Sequence, residues 1–293
     1  MTLTALSRSM ARARRREARG SKPMHEPPQF HTLIDDRIAE ASDLAPLACA
    51  GFAHFTALQV RDGRVRGFDL HLDRLRSASL ALFGRAMPDE SVRQSIRGAV
   101  AHGPAAMSLT ATLFSRRGEF TPVSDPSDPS ILVRTGPPSD GPAGPLRLAA
   151  VAHERWRPGI KHVGESAKTY FLREAVTQGY DDALFVDRTG RISEATIWNL
   201  AFWDGEAVIW PEADLLPGIT MGILRRQLSG LGIVQRSAPV RVDALGSLTG
   251  CVVMNSWTPA VAVSAIGAAT FPQSDTLVAT LHRAYRSEAL LPI

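Results

Sequence analysis

The chain has 293 residues, 44% of them hydrophobic, which suits two modest domains or one large soluble one with a sizeable buried core. No apolar run is long enough for a membrane span. Two cysteines without a disulfide pattern imply a reducing compartment, so a cytoplasmic protein is expected.

Residues 1–30 read as a disordered basic tail. Up to Met24, seven basic residues stand against Glu17 alone, a net +6 within a total of +4 that leaves the rest at −2. A near-neutral body lacks the electrostatic footprint of a nucleic-acid binder, so no nucleic-acid partner is expected. The tail is read as an unstructured extension, or as residues upstream of a start at Met24, and it lacks the apolar stretch of a secretory signal.

Residues 58–65 (LQVRDGRV) predict a hairpin around Asp62-Gly63. Residues 71–83 have helical spacing, with Leu72, Leu75, Leu80 and Phe83 on one side and Gly84 as the stop. A second helix runs from Pro88 and Asp89 to about Gly103. Residues 107–114 and 131–134 predict strands. Residues 136–145 (GPPSDGPAGP) read as a linker. The expected organisation is therefore a small N-terminal domain over 31–135 and a larger domain over 146–293.

The larger domain opens with an apolar strand, residues 146–152, then a helix over 167–178 closed by Gly179. Strands follow over 183–186, 197–203 and 207–210, with turns at Thr189-Gly190 and Asp204-Gly205. Pro217-Gly218 precedes a helix to about Leu228. Residues 252–254 and 260–266 read as strands, and residues 275–290 as an amphipathic closing helix. No metal-ligand spacing emerges.

Lysine is scarce. Three lysines, Lys22, Lys161 and Lys168, stand against thirty arginines. Only lysine can form an imine with an aldehyde or lose its proton near neutral pH. Surface charge is the plain alternative for both body lysines. Glu194, one hairpin beyond the helix after Lys161, could hold a protonated ring nitrogen, or be an ordinary strand-end acid. Pro217-Gly218-Ile219-Thr220 offers free N–H groups at a helix start, which suit a phosphate. Arg74, in HLDRL, offers a guanidinium fork for the same group, although most helix arginines are simply solvated.

In their order, these segments resemble the class IV aminotransferases. The run GIKH…GYDDALFVDRTGRISEATIWNL…LLPGIT matches that family's lysine, strand, turn glycine, glutamate and asparagine, here Lys161, Asp182-Ala183-Leu184, Val186-Asp187, Gly190, Glu194 and Asn199. FTALQVRDGRVRGFDLHLDRL and MNSWTPAVAV are similar to its phosphate-binding segments. The resemblance implies the α/β (α+β), two-domain fold type IV of pyridoxal 5'-phosphate enzymes, usually homodimeric. It assigns the Schiff base to Lys161, the ring nitrogen to Glu194, with Asn199 also in the cofactor site, and the phosphate to Arg74, Ile219, Thr220 and Ser256. Lys168, seven positions on, is then not the imine lysine. Phe55, Trp257 and Arg155 are candidate substrate contacts, with core or surface roles as the alternatives for Trp156, Trp198 and the arginines. Phe55 and Thr56 replace the family's usual aromatic–acid pair, and Tyr170 is the one candidate for the ring hydroxyl. The implied activity is transfer of an amino group between an amino acid or amine and a keto acid. A lyase of the aminodeoxychorismate type and a non-catalytic homologue are the alternatives.

Overall fold

The computed structural model describes residues 30–48, 51–101, 103–116, 129–272 and 274–293, so the basic tail and Cys49 lie outside the described residues. Alternation of buried and part-exposed positions along two nine-residue segments builds the centre of a first sheet. These are β3 (Ala53–Arg61) and β5 (Ala106–Phe114), antiparallel over their full lengths. With β1 (Thr32–Ile34), β2 (Arg37–Ile38), β4 (Arg64–Val65), β6 (Ser130–Gly136) and β16 (Leu291–Pro292) they form the order β16-β4-β3-β5-β6-β1-β2. The turn between β3 and β4 holds Asp62 at φ 51° and Gly63 at φ 67°, as a two-residue hairpin between twisted strands requires.

The first helix, α1 (Ala41–Ala48), packs Leu44 and Leu47 against Ile34, Phe114 and Leu132. Helices α2 (Phe68–Phe83) and α3 (Asp89–Ala101) share one apolar core with Leu58, Val60 and Leu109. α2 buries Leu72, Leu75, Leu82 and Phe83, but Leu80 is 53% exposed, against the expectation. Five residues beyond Leu75, it lies roughly 140° round the helix, off the buried stripe. Gly84 ends α2 in the left-handed region, its N–H donating to the Leu80 carbonyl.

A second sheet comprises β7 (Leu146–Ala152), β8 (Asp182–Val186), β9 (Ile192–Ala195), β10 (Asn199–Trp203), β11 (Val208–Pro211), β12 (Gln235–Ala238), β13 (Gly250–Met254), β14 (Val261–Ile266) and β15 (Ala269–Thr270). Its order is β12-β11-β10-β13-β14-β7-β8-β9, with β15 beside β14. The parallel pairs β7–β8 and β11–β12 are joined through α4 (Ser166–Thr177) and α5 (Ile219–Gly230) respectively. α6 (Ser274–Ser287) packs on β13, β14 and α5. Among the described residues no helix is long and apolar enough to cross a membrane.

Several elements depart from the sequence reading: β1, β2, α1, β12 and β15 are not expected from it, and three further differences bear on the site or its frame. β9 is an extra strand whose four residues are all buried, so it shows no alternation to find. β10 starts at Asn199 rather than Ile197. α6 stops at Ser287, because Leu291 and Pro292 cross to β4 of the first sheet. Residues 137–145, between β6 and β7, carry neither helix nor strand.

Two buried histidines tie β3 to α2. His71 Nδ1 lies 2.6 Å from Thr56 Oγ1, and His54 Nε2 lies 2.9 Å from Ser79 Oγ. Burial pushes His71 down to about 3 and His54 down to about 4. The unfolded chain binds these protons below pH 6.5 and the folded chain does not. Their stabilisation is therefore complete above pH 6.5 and falls away below it. About 2 kcal/mol per histidine is expected to be lost by pH 5. Urea unfolding at pH 7 and pH 5 checks this, and His71→Asn should flatten the slope.

Candidate active site

Lys161 is positioned by its neighbours in the chain. Ile160 is buried in the first core. The Lys161 carbonyl accepts from the Phe55 N–H at 2.9 Å, and the Val163 N–H donates to the Ala53 carbonyl at 2.9 Å. A short antiparallel stitch thus sets a segment of the second half against β3 of the first. The Lys161 Nζ lies 4.8 Å from the Phe55 ring centre. Burial, then the charges of Arg74 and Lys168, bring its ammonium down to about 7. A lysine that would be fully protonated in water here gives up its proton far more readily near neutral pH.

Glu194, on β9, is buried and held by two cations. Arg155 Nη1 donates to Oε1 at 3.0 Å, and Lys168 Nζ stands 3.9 Å from Oε2. Arg155 is neither a surface arginine nor a residue of the cavity lining. Its side chain is 2% exposed, and its other donors go to Glu165 Oε1 at 2.7 Å, the Pro158 carbonyl at 3.0 Å and the Ile160 carbonyl at 2.9 Å. It braces the loop leading to Lys161 and both carboxylates together, so all its donors are spent within the protein.

The other end of the site is built at the start of α5. Gly218 is its N-cap, and no side chain caps it. Arg74 Nη2 reaches the Pro217 carbonyl at 2.7 Å, the Asn199 amide donates to the Leu216 carbonyl at 2.8 Å, and Thr220 Oγ1 donates to the Asn255 carbonyl at 2.8 Å. Among the described residues Arg74 has no carboxylate partner. Enclosure, and then the charge of Arg155, lower its guanidinium to about 10. An enclosed cation beside a bare helix start calls for an anion. A Cβ at Gly218 would fall 1.9 Å from Asn199 Oδ1, so the Asn199 amide would have to shift. Gly218→Ala is expected to cost about 1–3 kcal/mol in chemical denaturation, with part of the loss recovered when Asn199→Ala is added.

One cavity of about 300 Å³ brings these residues together: Lys161, Glu194, Arg74, Asn199, Ile219, Thr220, Ser256, Phe55 and Trp257 all line it. It has an anion-seeking end, a carboxylate end and an amine of lowered proton affinity. Trp198 lines it too, although its Nε1 donates to Asp182 at 2.9 Å and its ring meets Trp257 edge-on. Thr56 is buried toward α2, whereas Phe55 and Ala57 face the cavity. Trp156 and Tyr170 are 62% and 60% exposed and do not line it. Sequence reasoning gave no role to Ala57, Thr110, Ile197, Leu216 and Asn255, and set Lys168 aside as not the imine lysine. Lys168 left a signal: with Phe171 and Ala175 it shares i, i+3, i+7 spacing, a lysine in the apolar stripe of α4.

This is the fold type IV architecture of pyridoxal-phosphate enzymes. A branched-chain aminotransferase from Thermoproteus uzoniensis, solved with norvaline, superposes with a TM-score of 0.73 at 17% identity, over 91% of this chain and 99% of the other. A hypothetical aminotransferase from Mycobacterium tuberculosis in its pyridoxal-phosphate-bound form gives 0.72 at 21% identity, over 88% and 99%. The family model for class IV amino-transferases matches residues 53–266, and the chain belongs to that family. A probable branched-chain-amino-acid aminotransferase from Rickettsia felis is 32% identical over 109 residues, 34% of this chain and 38% of that relative's length.

Proposed function

We propose that the protein is a pyridoxal-phosphate-dependent aminotransferase that moves an amino group between an amino acid or amine and a keto acid. The observation that carries this reading is Lys161: an enclosed amine whose proton affinity is lowered to neutrality, opening into a cavity shared with a buried carboxylate and a guanidinium that has no carboxylate partner among the described residues. The donor set fits the cofactor. Lys161 suits its aldehyde and Glu194 its ring nitrogen, while Arg74, Ile219, Thr220 and Ser256 suit its phosphate. Asn199 supports that end from behind through its hold on the Leu216 carbonyl. When bound, the cofactor supplies an electron sink for the bond broken at the substrate α-carbon.

The residues of this chain do the rest. Glu194, held by Arg155 at 3.0 Å, orients the ring and accepts from its protonated nitrogen. Lys161 Nζ takes the α-proton and returns it, a task suited to an amine that titrates near pH 7. Arg74 and the α5 start fix the phosphate, so successive proton transfers keep one geometry. Phe55 and Trp257 flank the substrate. The division into residues 31–135 and 146–293, with the cavity between, and a homodimeric assembly belong to the same reading.

Reconstitution tests it. Purified protein mixed with pyridoxal phosphate should turn yellow, and the absorbance should shift on adding an amino donor from a panel of L- and D-amino acids and amines. A protein that stays colourless contradicts the reading. The lyase alternative is motivated by the GIKH run and its ungapped spacing to Glu194. It predicts turnover without any keto acid acceptor, whereas the transferase requires one.

A further inference from the structure

Lys168 is the second amine of the cavity, and the proposed reaction gives it no part. It is the third residue of α4, on the stripe that packs Phe171 and Ala175 against the second sheet. Its Nζ stands 3.9 Å from Glu194 Oε2, too far for a direct hydrogen bond but close enough for charge pairing. Glu194 Oε1 is already held by Arg155 at 3.0 Å. An ammonium carries three donors, and among the described residues its Nζ makes no hydrogen bond within normal length.

The next step rests on the proposed function. Besides its aldehyde, pyridoxal phosphate presents a phosphate, a ring nitrogen and an acidic hydroxyl on the carbon beside the aldehyde-bearing one. Arg74 and the α5 start take the phosphate, and Glu194 the nitrogen. Of the other donors nearby, Trp198 Nε1 is committed to Asp182, the Asn199 amide to Leu216, and Arg155 to Glu165, Glu194 and two carbonyls. The Thr110 hydroxyl also lines the cavity but carries no charge. Lys168 is the remaining cation.

We propose that Lys168 is a positioning residue whose ammonium holds the ring hydroxyl oxygen in its anionic form and thereby sets the protonation of the imine made by Lys161. Left alone, that oxygen accepts a hydrogen bond from the protonated imine beside it. A cation that claims the oxygen removes this partner and adds a like charge, so the imine loses its proton at lower pH. The charged and titratable groups around Lys168 are Glu194 on β9, Asp182 on β8, Arg155 and His153 after β7, and Glu165 and Lys161 before α4. Burial, together with Arg155, weakens its hold on a proton, and the three carboxylates oppose that loss.

The test is an absorbance titration of the imine in the holoenzyme, between pH 5 and pH 10, for the parent protein, Lys168→Met and Lys168→Arg. Each sample is also reduced with borohydride and its labelled residue located by mass mapping. The methionine variant should hold its imine proton at least about tenfold more tightly, a rise of about one pH unit. The arginine variant should return toward the parent value, with the label on Lys161 throughout. Lys168→Gln, of similar length, should shift the same way if the methionine variant does not fold. An unchanged titration with the label still on Lys161 overturns this proposal alone. A label on Lys168 overturns it together with the assignment of Lys161, and a parent protein that forms no imine contradicts the proposed function itself.

Discussion

Lys161→Ala is expected to lower turnover by at least about 10³-fold while leaving pyridoxal phosphate bound without a covalent link. The two halves of this expectation have different physical sources. Retention comes from Arg74, the bare start of α5 and Glu194, none of which the substitution touches. Loss of rate comes from removing the enclosed amine whose pKa is brought down to about 7. Lys168 does not replace it, because its Nζ is drawn to the Glu194 carboxylate, 3.9 Å away. Single-turnover kinetics with an amino donor measure the first half. Spectroscopic titration with the cofactor measures the second, and unimpaired turnover would contradict the account.

Arg155→Met is expected to destabilise the protein by about 3–5 kcal/mol, the range for breaking a buried ion pair from one side. The guanidinium neutralises Glu194 and Glu165 and satisfies the carbonyls of Pro158 and Ile160, with its own side chain 2% exposed. Methionine fills similar volume, so the loss is chiefly electrostatic. It leaves buried carboxylates short of their main partner and carbonyls unpaired. Urea unfolding measures the change. Adding Glu165→Gln should recover part of the loss, because one stranded charge is then removed. The loop that carries Lys161 should also loosen, raising the apparent dissociation constant for the cofactor.

Most of the fold was legible because its signals are local. Period-two alternation marks β5, the Asp62-Gly63 turn marks the hairpin of β3 and β4, and Gly84 marks the end of α2. β9 was not legible, since Ile192, Ser193, Glu194 and Ala195 are buried alike and no alternation survives. β16 escaped because a two-residue strand pairs with β4 more than 220 positions away, a contact no local pattern announces. In the site, chemically unusual choices were readable: a lysine in an arginine-rich chain, a glycine before an uncapped helix. Arg155 was not, because a buried arginine and a solvated one look alike in sequence, and only tertiary structure shows where the donors go. The place of Lys168 was readable from helical spacing, since Lys168, Phe171 and Ala175 share one stripe of α4, but its distance to Glu194 was not, because that contact joins α4 to β9.

Borohydride reduction of the yellow holoenzyme, followed by fragmentation of the peptide spanning Arg157 to Lys168, tests the central claim most directly. The account predicts the reduced pyridoxyl group on the Lys161 Nζ. The same group on Lys168, or a peptide carrying no modification, would contradict it.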